Sequence, residues 1–124
     1  IFAQELTMQG TQLVGYRGMP QNAQSAAYTL VLADSGKTIY HPAADTTARI
    51  WTIPANSSVP LPIGTLINFD NEFGAGVITI AITTDTLVQD TTGSTGSRTL
   101  AAGGTATARK VTATRWRING TGLT

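Results

Sequence analysis

Residues 77–82, "VITIAI", decide how this chain folds. Ile78, Ile80 and Ile82 fall on one phase of a two-residue period, and Val77, Thr79 and Ala81 on the other. That alternation is the pattern of a strand with one buried face, because successive side chains point to opposite sides of a sheet. The same period appears on either side of it. Trp51 and Ile53 share a face, as do Trp116 and Ile118, which makes both tryptophans core candidates. Short runs rich in Val, Ile, Thr and aromatics recur at 28–33, 37–41, 48–53, 65–69, 98–101, 105–113 and 115–119. Gly, Pro, Asn and Asp separate them, and no window has the 3.6-residue period of an amphipathic helix. The reading is all-β: a compact sandwich or barrel of short antiparallel strands, since such strands must bury a face on a second sheet or close on themselves.

The punctuation refines this. "NEFGAGV" at 71–77 supplies two glycines for a hairpin loop. "IPANSSVPLPIG" at 53–64 holds three prolines, which suit a connection crossing a sheet edge. "ADSGKTIYHP" at 33–42 places Gly36-Lys37-Thr38 after an apolar run, as a phosphate-binding loop does. Val31 stands where that motif needs its first glycine, and "IYHP" cannot open a helix. Asp34, Ser35 and Gly36 therefore read as turn residues between two strands, and nucleotide binding is rejected.

Residues 1–26 form an extended N-terminal arm, and 27–124 the β domain. The arm has no steady period and closely spaced glycines, yet Leu13, Val14, Tyr16 and Met19 need covering. A neighbouring subunit could cover them, and so could the chain's own domain. "LAAGGTATARKVTAT" at 100–114 puts small residues on both phases, which suits close approach of a symmetry-related backbone or an edge strand with a solvated face.

Charged residues make up 12% of the 124 residues, about half the usual ~25%. A chain so poor in charge fits either a surface largely covered by other chains or a neutral extracellular module. All seven acids lie within residues 1–90, and Arg98, Arg109, Lys110, Arg115 and Arg117 follow without one. These bases can meet acids within the fold or oppose a partner of opposite sign. A net charge of +1 gives no footprint for nucleic acid. No apolar run is long enough to insert in a membrane as a helix, and the first residues do not form a signal peptide. A first residue other than Met reads as processing or truncation. With no cysteine, disulfides, thiol nucleophiles and Cys-type zinc sites are excluded.

Nothing in the sequence assembles an active site, so the chain is read as non-enzymatic, without metal or cofactor. His41 is the one histidine and reads as solvent-exposed or locally hydrogen-bonded in a turn. No Gly-x-Ser-x-Gly elbow accompanies it. Asp70 and Glu72 with Asn68 and Asn71 offer oxygen ligands, but they sit where a turn also wants them and lack a calcium-loop pattern. Asp85 and Asp90 could pose as paired carboxylates without any sign of the separation glycoside cleavage needs. The acceptor-like "NSS" at Asn56 is a three-residue match common by chance.

"TLVLADSGK", "TIPANSSVPLPIGT" and "GAGVITIA", with "YRGMPQN" upstream and "RWRINGTGLT" at the end, resemble a small β-rich module of tailed-bacteriophage virion surface proteins, in fibres, spikes or capsid decoration. The resemblance spans roughly 15–124 and implies a non-enzymatic, trimeric surface protein assembled in the bacterial host cytoplasm, with other capsid or tail proteins as partners. It transfers no binding residues. From the chain's own residues, assembly is expected through Leu13, Tyr16, Arg17 and Met19 in the arm and Thr105, Thr107 and Arg109 in the small-residue strand. The alternative is recognition of a bacterial surface glycan at Tyr40, His41 and Asp45, where an aromatic face adjoins polar partners.

Overall fold

The computed structural model describes residues 18–124, so Leu13, Tyr16 and Arg17 lie outside the described residues. Nine strands follow in order: β1 (Gln21–Ala23), β2 (Tyr28–Thr29), β3 (Thr38–His41), β4 (Arg49–Ile53), β5 (Leu66–Asn71), β6 (Ile78–Ile82), β7 (Thr86–Gln89), β8 (Arg98–Thr112) and β9 (Arg115–Leu123). Among the described residues the only helical piece is a 3-10 turn at Leu32–Asp34. The all-β expectation holds, in the form of one sheet curled into a half-barrel.

The path across that sheet is β1-β3-β5-β8-β6-β4-β2, with β9 on β8 and β7 on β9. Odd strands β1, β3 and β5 lie side by side in parallel as one group, and even strands β2, β4 and β6 in parallel as a second. Both groups meet the same edge of β8 at different points along it. Each step from β1 to β6 therefore crosses from one half to the other, and the chain winds as a short spiral. β8 joins the halves. Its start runs antiparallel to β6 (Leu100 opposite Ile78), and its middle runs antiparallel to β5 (Ala106 opposite Phe69).

The pairing corrects the antiparallel expectation, since β7 is also parallel to β9. The loops at 34–36 and 72–77 are not hairpins: the strands they join pair with other partners. A period of two is common to parallel and antiparallel strands, and turn residues reverse the chain without choosing its neighbour. Residues 98–112 form one strand where two were read, with a register shift against β9 between Leu100 and Thr105. Within the segment 1–26 read as an arm, β1 pairs with β3 at the end of the strand path.

The core fills the space between the halves. Ile39, Ile67 and Phe69 meet Trp51, Ile53, Ile78 and Ile80, and Trp116 and Ile118 close the β9 side. Both tryptophans are buried as read, and Trp51 lies 6.2 Å from Phe69 between ring centres. Four residues separate β1 from β2, the two ends of the strand path, so the sheet must curl to bring those ends together. A network around the buried Asp34 carboxylate holds them. Tyr28 Oη donates to Asp34 Oδ2 (2.6 Å), Asn22 Nδ2 donates to Asp34 Oδ1 (3.0 Å), and the Val31 N–H donates to Asp34 Oδ2 (2.9 Å). The stretch that resembled a phosphate loop thus anchors the seam, with the Gly36 N–H donating to Leu66 O at 2.8 Å.

Candidate functional site

Strand register sorts the outward residues of the odd half into rows. Tyr40, Asp70, Thr105 and Thr121 stand abreast on β3, β5, β8 and β9. Thr38, Asn68, Thr107 and Asn119 form the next row, and Leu66, Arg109 and Arg117 the third. The polar groups satisfy one another. Thr105 Oγ1 donates to Asp70 Oδ1 (2.7 Å), Thr107 Oγ1 to Asn68 Oδ1 (3.2 Å) and Asn68 Nδ2 to Asp70 Oδ1 (3.2 Å). Tyr40 Oη donates to Glu72 Oε2 (2.9 Å), and Met19, half exposed, accepts from Thr38 Oγ1 through Sδ (3.0 Å). Tyr40 therefore shares a face with Thr105, Thr107 and Arg109, residues that the sequence reading assigned to a different role.

At the far end of this face Arg117 Nε reaches Asp90 Oδ1 (2.7 Å) and Asn119 Nδ2 reaches Asp90 Oδ2 (2.9 Å). The Asn119 amide first, and Arg117 with it, hold the Asp90 carboxyl below its usual range. A shallow cleft of about 450 Å³ opens beside this pair, lined by Val88, Thr91, Val111 and Arg115 among others. Among the described residues, Arg117 is the one base of the last third in a salt bridge. Lys110 is buried, and its Nζ donates to Asn56 Oδ1 (2.6 Å) and Leu61 O (2.7 Å) beside the Trp116 ring.

His41 and Asp45 do not join Tyr40. His41 is fully buried at the end of β3, pointing into the core edge-on to Trp51, which corrects its placement in an exposed turn. Its hydrogen bond to Asp45 is local as expected, Nε2 to Oδ2 at 2.8 Å. Nδ1 meets Asn71 Oδ1 at 2.8 Å. The Asn71 amide nitrogen donates to Gly76 O and Leu100 O, which leaves Oδ1 as the acceptor facing the ring. Asp45 also takes Arg49 Nε (2.8 Å) and Nη2 (3.1 Å). The Arg49 guanidinium first and His41 second push the Asp45 carboxyl far below its usual range. With both ring nitrogens occupied and no solvent path, His41 has no free nitrogen to serve as a general base. The cluster is a structural pin between β3, β4 and β5. Among the described residues, no three His, Cys, Asp or Glu side chains converge as a metal site would require.

The outer face of the even half is different in kind. Thr29, Thr52 and Ala81 stand abreast on β2, β4 and β6, and Ile50, Thr79 and Thr99 on β4, β6 and β8. None is charged, and Ile50 is 54% exposed. Sequence reasoning missed this face, although the outward phases of "RIWTI" and "VITIAI" already lacked any charge. What the one-dimensional reading lacked was the pairing that sets those phases side by side. Comparisons with protein-family models, curated proteins and solved structures found no match to this chain.

Proposed function

We propose that this chain is a non-enzymatic structural module that packs with copies of itself, as a homotrimer, on the surface of a bacteriophage virion as decoration, spike or fibre. The observation that carries the assembly reading is the charge-free outer face of β2, β4, β6 and the start of β8. A solvated sheet face ordinarily carries charge, and the centre of a subunit interface is where charge is depleted. Flat Thr, Ala and Ile rows need no partner of opposite sign, so identical faces can turn toward a common axis. The virion setting rests on the sequence resemblance alone.

Area limits what this face can do alone. Four strands ~4.8 Å apart and about four residues of rise cover roughly 250 Å². A stable interface buries about 800 Å² per partner. Arm residues Leu13, Tyr16 and Arg17 are the proposed source of the remainder. Light scattering after size exclusion, across a dilution series, tests the reading. Wild type should hold a mass near three chains and Thr79→Lys should lower it toward one. The even-face contact takes the place of the one expected at Thr105, Thr107 and Arg109, so Thr107→Lys should leave the mass unchanged. A wild-type monomer at every concentration overturns the proposal.

A further inference from the structure

Phe73 lies just past the end of β5 and is 78% exposed, the most exposed of the large apolar side chains described. Leaving such a ring in water forgoes roughly 2 kcal/mol of burial. Its position is nevertheless set. The Cδ1–Cε1 side of the ring lies so close to Gly103 that a Cβ there would fall 2.8–2.9 Å from those atoms. Gly103 also has φ +77, a conformation that only glycine adopts without strain. The Phe73 N–H donates to Glu72 Oε1 (3.1 Å), while Glu72 Oε2 takes the Tyr40 hydroxyl. Asp70, abreast of Tyr40 in the same row, is oriented by Thr105 and Asn68. An exposed aromatic ring over Gly103 thus follows Glu72 directly in the chain, and the Glu72 and Asp70 carboxylates are each held in place by neutral donors.

We infer that Phe73, Glu72, Tyr40, Asp70 and Thr105 form a binding surface for a pyranose sugar. This goes beyond the assembly reading and uses the opposite side of the molecule. The chemistry fits on two counts. A pyranose has an apolar C–H face that covers an aromatic ring, and hydroxyls at its rim that need acceptors. Each carboxylate has about four acceptor positions. Asp70 and Glu72 use two apiece internally, so both keep capacity for sugar hydroxyls. The same carboxylates repel phosphate, which disfavours nucleic acid and anionic lipid. The site differs from the one expected at Tyr40, His41 and Asp45: Tyr40 stays, and Phe73, Glu72 and Asp70 replace His41, which turns inward, and Asp45, which is bonded to it.

The test is a titration of the full chain, followed by amide NMR, with methyl pyranosides of gluco, galacto, manno and N-acetylglucosamine configuration. An arginine-rich peptide serves as the competing probe. Shifts centred on Glu72, Phe73, Gly103 and Thr105 with at least one sugar, weakened about tenfold in Phe73→Leu, support the site. Leucine keeps the apolar bulk and removes the ring face, so the comparison isolates stacking. Absence of sugar-induced shifts, shifts unaffected by Phe73→Leu, or shifts with the peptide alone overturn it. A drop in oligomer mass for Phe73→Leu would also overturn it, by making the ring a subunit contact. The Thr79→Lys experiment reads a different face, so either proposal can fail without the other.

Discussion

Gly120 stands where β9 presses closest on β8: a Cβ there would collide with Thr105 O and lie 2.6 Å from Ala106 Cα. Both obstacles are backbone and cannot swing away. Gly120→Ala should cost ~2–3 kcal/mol, the scale of overpacking, read as a lower urea midpoint with unchanged slope. Titratable residues give a second test at this scale. The Asp45 carboxyl is held low by Arg49 and His41, and that of Asp90 by Asn119 and Arg117. A carboxyl depressed in the folded state adds stability above its unfolded value, about 3.9, and loses it as pH falls through the folded one. Acid unfolding should therefore begin below about pH 4, and Asp45→Asn should flatten that limb. Burial first, and Asp34 second, push the Tyr28 hydroxyl up to about 12. The sign reverses here. Stability from Tyr28 is complete below its unfolded value near 10 and fades as pH rises toward 12. Tyr28→Phe should remove that alkaline limb in a pH series of thermal melts.

β8 is the element on which the fold turns. One strand supplies the ladder for β6 at its start, for β5 in its middle and for β9 along its other edge. Proline cannot donate to a ladder and is confined to edges, so Ala106→Pro should abolish the cooperative unfolding transition in circular dichroism. Lys110, on the same strand, is the costlier kind of core residue, an ammonium met by two neutral oxygens. Lys110→Ala leaves a cavity as well as unpaired acceptors. Lys110→Met keeps the volume and should be about 2 kcal/mol less destabilising. The strands at 37–41, 48–53, 65–69 and 77–82 were legible because period and β-branched content agree there. β1 and β7 were not, since three or four residues with mixed polarity carry no period to read.

For the whole molecule, the two halves touch through the core but share ladder bonds only by way of β8. A chain ending after Gln89 should therefore lack native amide dispersion, although β1 to β6 are all present. The outward faces explain how low overall charge is distributed. The odd face carries Asp70, Arg109 and Arg117, and the even face carries no charge. Average composition pointed to a covered surface without locating it.

The longer strands, the buried tryptophans, the rejection of a phosphate loop and the all-β class were set by the amino-acid sequence itself. The first two and the class depend on a side chain's phase relative to near neighbours, which a period of two records directly, and the rejected loop on residue identities within one short stretch. The tertiary structure alone decided which strands pair, that His41 turns inward while Tyr40 turns out, and that Phe73 sits on Gly103. Those outcomes depend on contacts between residues about 30 positions apart. Long-range pairing is settled by burying both halves at once, and no local pattern encodes it.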